Sequence, residues 1–233
     1  MKSLAASSNM SWIYPLRNGS LALLALGLLS ACAVNPTGGV DFVTMSESRE
    51  IELGAELHQQ MLQETPVYQN EQLQEYVNEV GQRLAAVSHR PDIEYTFTVV
   101  DSPDINAFAL PGGYIYINRG LIAYLNSEDE MAAVLGHEIG HVTDRHSVRQ
   151  QAARQTNSVV AGVLVVATGV GSLGETSSLL GGALLSGYGR EMELAADGLG
   201  AEYLAAAGYD PLAMVEVIGV LKNHEDFTKR TSS

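Results

Sequence analysis

The sequence is short of basic residues and of cysteine. It contains 13 Lys and Arg against 27 Asp and Glu, which gives a formal net charge of −14, and one cysteine among 233 residues. This acidity argues against binding to nucleic acid and against electrostatic attachment to anionic lipid. A single cysteine cannot form an internal disulfide, so it needs another explanation. No internal repeat is present, and residues 32–233 suffice for one domain with a substantial core.

The first 31 residues also lack Asp and Glu. Lys2 and Arg17 precede an apolar run, Leu21–Leu29, which is too short to span a bilayer comfortably. Small residues then lead to Cys32, a pattern that resembles the cleavage site of a bacterial lipoprotein signal. We therefore predict a lipoprotein signal peptide over residues 1–31 and a lipid on the Cys32 thiol. A plain secretory signal with an incidental cysteine is the alternative.

A lipid on Cys32 would decide where the protein resides. Several acyl chains on one cysteine are enough for stable attachment to a membrane. Ala33 follows the cysteine, and no Asp is present there to favour the inner membrane. We expect a protein of the bacterial outer membrane that faces the periplasm. Residues 32–44 are expected to form a tether ahead of a domain over residues 45–233.

The sequence His-Glu-Ile-Gly-His at residues 137–141 carries the strongest chemical signal. Residues four apart lie on one face of a helix, so His137 and His141 can bind one metal ion, with Glu138 at the rim of the same site. Residues 127–150 are predicted to form one helix, because they begin with a capping-box pattern and their apolar residues recur three and four apart. A pair of partly buried histidines on an ordinary core helix is the alternative.

A second segment, Arg190 to Asp197, supplies two carboxylates downstream. Its Ala and Leu residues favour a helix, which would place Glu193 and Asp197 on one face. Zinc held by two histidines needs a third protein ligand, often a carboxylate, and keeps one position for water. We predict Glu193 as this ligand, and Asp197 as the acceptor of the free N–H of a ligand imidazole. A solvated acidic helix face is the alternative.

A small sheet is predicted ahead of the histidine helix. Glu94–Asp101 alternates apolar and polar residues, while Ile105–Leu110 and Tyr114–Asn118 flank a Pro-Gly-Gly turn as the strands of a hairpin do. A peptide can add to an exposed sheet edge as an extra strand, and we expect a substrate to bind here in this way. A sheet that only packs against helices is the alternative. The candidate edge residues are Asn106, Ala107, Phe108 and Ala109.

The remaining segments are predicted to be mostly helical. Ser46 to Glu64, Glu71 to Val87, and Asp210 to about Asn223 show helical patterns. Residues 156–189 are apolar and glycine-rich, and they are interpreted as a buried helical hairpin, with a mobile lid or a patch that touches a membrane or a partner as the alternatives. The fold class predicted is α+β and mostly helical, with a small β-sheet before the histidine helix.

Three blocks of the sequence together resemble the BepA/LoiP/HtpX-like family of zinc metallopeptidases, which is related to the CAAX prenyl proteases. They are the His-Glu-x-x-His at 137–141, the Glu-x-x-x-Asp at 193–197 and the run at 106–117, within a similarity over about residues 45–221. The resemblance implies a zincin-like metallopeptidase domain with one zinc ion. It also implies zinc ligands and a catalytic base that match the spacing argument, namely His137, His141, Glu193 and Glu138.

Such a family member would be a zinc endopeptidase that acts on unfolded or misfolded envelope proteins, with outer-membrane assembly machinery as a further partner. A stabiliser for the tetrahedral oxyanion is also needed, and the candidates are Arg190, His224 and one of the tyrosines. His58, His89 and His146 are interpreted as surface or supporting residues and not as ligands.

Two features qualify this interpretation. The first is a rival function, a non-proteolytic chaperone or assembly factor for outer-membrane proteins that uses the metal site structurally. The presence of Glu138 favours the enzyme, because a structural zinc site has no need of this base. The second is that family members often continue past the last helix into a His-Pro segment, which this sequence lacks, so truncation of the domain over residues 45–233 at its carboxyl end is left open.

Overall fold

The computed structural model describes residues 45–152 and 188–219, together with the backbone of two short paired strands, β1 (Cys32–Val34) and β2 (Val40–Phe42). These two strands lie in the segment predicted as a tether. The predicted signal peptide, almost all of the apolar segment 156–189, and residues 220–233 lie outside the described residues. Within the described residues, no helix combines the length and the apolar character needed to cross a membrane.

Two helices precede the sheet, α1 (Glu47–Glu64) and α2 (Glu71–Ala85). The side chain of Ser46 accepts a backbone N–H of the first turn of α1 and so caps this helix. Helix α2 ends at Ala85, ahead of the predicted end at Val87, which is 39% exposed.

The sheet has three strands, β3 (Thr96–Val100), β4 (Ala107–Leu110) and β5 (Tyr114–Asn118), in the order β3-β5-β4. The central strand β5 runs parallel to β3 and antiparallel to β4, and a short 3₁₀ turn, Pro111–Gly113, joins β4 to β5. The predicted hairpin is therefore confirmed. Gly112 has a φ of 77°, a conformation that glycine adopts without the steric cost of a Cβ.

The two faces of the sheet pack against different helices. On β5, Ile115 and Ile117 belong to the main core with α2 and with the two long helices that follow the sheet, whereas Tyr116 packs with Leu53 and Leu57 of α1. This alternation has the period of two that a strand between two layers requires. The predicted α+β fold, mostly helical with a small sheet ahead of the histidine helix, is confirmed.

Two long helices complete the domain after a single short turn of helix, α3 (Arg119–Ile122). They are α4 (Glu128–Thr143), which is buried along most of its length, and α5 (Arg190–Ala207). The side chain of Ser127 caps α4, as predicted, although the carboxylate of Glu130 accepts from the backbone N–H of Asn126 instead of reaching back to Ser127. Residues 213–219 are helical within the region predicted from Asp210 onward.

The prediction of one helix over residues 127–150 is wrong at Asp144 and Arg145. Helix α4 ends at Thr143, and residues 146–152 form a separate helical segment. Arg145 has a φ of 52°, in the left-handed region that interrupts a helix. Its guanidinium donates to the buried carboxylate of Glu50 at 2.7 Å and to the carbonyl oxygen of Met45 at 2.8 Å, and these contacts hold the turn.

Candidate active site

Side chains from α4 and α5 converge on one point. The Nε2 atoms of His137 and His141 are 2.9 Å apart, and the Glu193 carboxylate lies 3.5 Å from the first and 3.9 Å from the second. Donors on a tetrahedral zinc ion, with bonds of about 2.0 Å, are separated by roughly 3.3 Å. Two imidazoles and a carboxylate at these separations are a donor set that suits zinc. The structure thus brings together the three residues that the sequence predicts as ligands.

The carboxylates reach the histidines because α4 and α5 touch through glycines. A Cβ on Gly140 would lie 2.8 Å from the carbonyl oxygen of Ala196, and a Cβ on Gly200 would lie 2.9 Å from the backbone nitrogen of His137. A side chain at either glycine would therefore force the helices apart. Backbone contact at this crossing places the first turns of α5 directly against the histidine face of α4.

Asp197 supports His137 from behind the cluster. Its carboxylate oxygen lies 2.9 Å from His137 Nδ1, which leaves Nε2 facing His141 and Glu193. Burial opposes the charging of His137, but hydrogen bonds to Asp197 and Glu193 outweigh it and raise the pKa of His137 to about 10. The same negative charges would favour a metal cation held between these side chains.

His141 occupies a more apolar environment than His137. It is buried, and its ring stacks on Tyr188 with centroids 4.2 Å apart and planes at 23°. Burial, followed by the positive charge of the neighbouring His137, lowers the pKa of His141 and keeps its imidazole neutral. A neutral imidazole is the form that binds a metal.

Two contacts of His141 were not predicted from the sequence. Tyr188 lies two residues before α5, and nothing in helical spacing points to it. His146 was interpreted as a surface or supporting residue, and the surface alternative is wrong, because His146 is completely buried and its Nδ1 lies 2.8 Å from His141 Nδ1. Its place in the chain, just after a helix that was predicted to continue, concealed this contact.

Glu138 is a buried carboxylate beside the cluster, with 7% of its surface exposed. Burial raises the pKa of Glu138 to about 7. The negative charge of Glu193 adds to this rise, and the positive charge of His137 opposes it. A carboxylate with such a pKa can both accept and release a proton near neutral pH.

The other candidates lie apart from the cluster. Arg190 is exposed at the start of α5 and, among the described residues, makes no hydrogen bond or ion pair with the cluster, and His224 lies outside these residues. A role in stabilising an oxyanion stays a prediction for both. His58 and His89 have structural contacts, because their Nδ1 atoms lie 2.6 Å from Tyr116 Oη and 2.8 Å from Tyr203 Oη respectively.

The sheet has one covered edge and one open edge. On the β3 side, the side-chain amide of Gln74 bonds both the N–H and the C=O of Val99. On the β4 side, Asn118 N donates to Asn106 O, so the alternation of an antiparallel ladder turns the N–H and C=O groups of Ala107 and Ala109 outward. Within residues 45–152 and 188–219, no backbone hydrogen bond reaches those outward groups.

Comparison with known proteins agrees with the geometry. The model of peptidase family M48 matches residues 71–232. The chain is 32% identical over 216 residues to a putative beta-barrel assembly-enhancing protease of Vibrio cholerae, covering 86% of this chain and 45% of that protein. It is 28% identical over 203 residues to the beta-barrel assembly-enhancing protease of Escherichia coli K12, covering 80% and 40%.

A mitochondrial relative extends the comparison. The chain is 36% identical over 139 residues to the mitochondrial metalloendopeptidase OMA1 of Schizosaccharomyces pombe, covering 59% of this chain and 41% of that protein. The chain spans less than half the length of each of these three relatives. The family model covers well over half of the chain, which confirms the resemblance drawn from the three sequence blocks. The chain therefore belongs to peptidase family M48.

Proposed function

We propose that this protein is a zinc-dependent endopeptidase in which His137, His141 and Glu193 bind one zinc ion and Glu138 acts as the general base. The observation that carries the proposal is the convergence of two imidazoles and a carboxylate on one point, with a second, buried carboxylate beside them. Membership of a metallopeptidase family supports it independently.

Each side chain has a distinct task in hydrolysis. A zinc ion at this site would lower the pKa of water towards about 7 and polarise the scissile carbonyl. Glu138 takes a proton from the attacking water onto its carboxylate and transfers it to the departing amine, which its pKa of about 7 allows. Asp197 accepts the Nδ1–H of His137 and so keeps the Nε2 lone pair directed at the cluster.

We infer that the substrate is an extended polypeptide that adds to the open edge of β4. The outward N–H and C=O groups of Ala107 and Ala109 can pair with the main chain of a peptide. Pairing of this kind uses groups that every peptide has, so it selects for an unfolded segment more than for particular side chains. Unfolded or misfolded proteins fit this mode of recognition.

Purified protein and casein, which is largely unfolded, provide the direct test. We expect about one zinc per chain, cleavage of casein, loss of cleavage with a chelator and its return with added zinc. Mass spectrometry of the fragments should show bonds cut among diverse neighbouring side chains. A zinc-free protein that does not cut casein would contradict the proposed enzyme, whereas a strict side-chain preference would contradict only recognition through the main chain.

We further propose that the protein works at the bacterial outer membrane, attached through a lipid on Cys32 and facing the periplasm. The relatives named beta-barrel assembly-enhancing proteases support a role with misfolded envelope proteins and with the machinery that assembles outer-membrane proteins. The expected mature chain begins at an acylated Cys32 and is found in the membrane fraction. An unmodified Cys32 in the mature chain, measured by mass spectrometry, would contradict this attachment.

A further inference from the structure

A buried chain of hydrogen bonds leads from His141 away from the ligand cluster. His141 Nδ1 lies 2.8 Å from His146 Nδ1, and His146 Nε2 lies 2.8 Å from Asp144 Oδ2. Arg149 Nη1 donates to the same Asp144 oxygen at 2.7 Å. His146 and Asp144 are 0% and 1% exposed, so water cannot satisfy their polar atoms.

The two ends of the chain fix the position of every proton in it. His141 Nε2 faces His137 and Glu193, and as a metal ligand it carries no proton, so the proton of this imidazole lies on Nδ1. His146 Nδ1 must then accept, which places the proton of His146 on Nε2, where Asp144 accepts it. Arg149 can only donate, and it holds the far end. Reversing the His146 tautomer would set a bare nitrogen against a carboxylate.

His146 reaches His141 only because the backbone turns after Thr143. On a continuous helix, a residue five positions further on lies roughly 140° around the axis, where it could not meet His141. The left-handed Arg145 brings His146 back, and the two imidazole rings pack edge to face with centroids 4.9 Å apart. The interruption of the helix therefore creates the contact.

On the basis of the zinc site proposed above, we propose that His146 is a positioning residue that fixes the tautomer and ring orientation of His141, with the carboxylate of Asp144 behind it. His137 is held differently, by direct contact with the carboxylate of Asp197, which is partly exposed. The two zinc-binding imidazoles thus have separate supports, one direct and one through a second imidazole.

The test measures zinc affinity by competition with a chromogenic chelator, in the full chain. His146→Leu removes the acceptor for His141 Nδ1–H and should weaken zinc binding about 10- to 100-fold, the usual effect of losing such a partner. His146→Asn offers an amide oxygen close to the position of Nδ1 and should recover most of that loss. The control is Tyr203→Phe, which removes buried hydrogen bonds to His89 and Thr143 without touching His141.

If His146→Leu folds and binds zinc as tightly as the parent, or if Tyr203→Phe weakens binding equally, the positioning role is rejected. A parent protein that binds no zinc would instead reject the proposed function. Should His146→Leu fail to fold, nitrogen NMR of histidine-labelled, zinc-loaded parent protein decides: the proton of His146 on Nε2 alone supports the proposal, and a proton on Nδ1 overturns it.

Discussion

Replacing Glu138 with Gln should lower kcat for casein about 10²- to 10⁴-fold, the contribution of a positioned general base, and leave the zinc content unchanged. Gln has nearly the same shape, but its amide cannot take a proton from water. Glu138 is also not one of the converging donors, so the ligand set remains complete. Zinc analysis and a timed casein digest on the same preparation measure both effects.

A matched control is available in the first turn of α5. Glu191→Gln removes the same charge from an exposed position of the helix that carries Glu193, and it should leave casein cleavage unchanged. Glu138→Gln protein that still cuts casein at the parental rate would reject the assigned base. If that variant loses proteolysis but still supports outer-membrane assembly in cells, the non-proteolytic assembly role is favoured.

Replacing Glu50 with Ala should destabilise the fold by about 3–5 kcal/mol, the cost of removing one partner from a buried ion pair. The Glu50 carboxylate is 1% exposed and bonds Arg90 at 3.0 Å and Arg145 at 2.7 Å. Its loss would leave two guanidinium groups without their shared anion. It would also remove the contact that holds the turn at Arg145. Unfolding should therefore begin at a lower urea concentration, and zinc binding should weaken.

Glu47→Ala is the control for Glu50→Ala, because Glu47 pairs with the same arginine, Arg90, at the surface. Glu47 pairs with Arg90 at 3.2 Å, but its side chain is 62% exposed, and exposed ion pairs contribute at most about 1 kcal/mol. The two variants remove the same group from the same helix and differ in burial. Equal free energies of unfolding for both, from urea titrations, would contradict the importance assigned to the buried ion pairs.

Local patterns predicted the elements of the site because each pattern is a property of one segment. The spacing of four between His137 and His141, and between Glu193 and Asp197, puts each pair on one helix face whatever the rest of the chain does. The Pro-Gly-Gly turn likewise specified the hairpin. Where a cap or a turn decides the structure locally, the sequence was sufficient.

Features that depend on distant residues could not be read in this way. The helix over 127–150 had the apolar period of a continuous helix, and the contact that breaks it comes from Glu50, far away in the sequence. The error concealed His146, since helical geometry sets it apart from His141. Tyr188 was missed for a related reason, because its stacking on His141 depends on how α5 crosses α4.

The glycine contact between α4 and α5 has a consequence for how firmly the donor atoms are spaced. At that crossing main chain meets main chain, with Gly140 against Ala196 and Gly200 against His137. The distance from the two histidines to Glu193 is then set by direct contact between the main chains of α4 and α5. Binding of a metal would require little rearrangement of the two helices. A single methyl group added at either glycine would separate the helices and change the distances between the donor atoms.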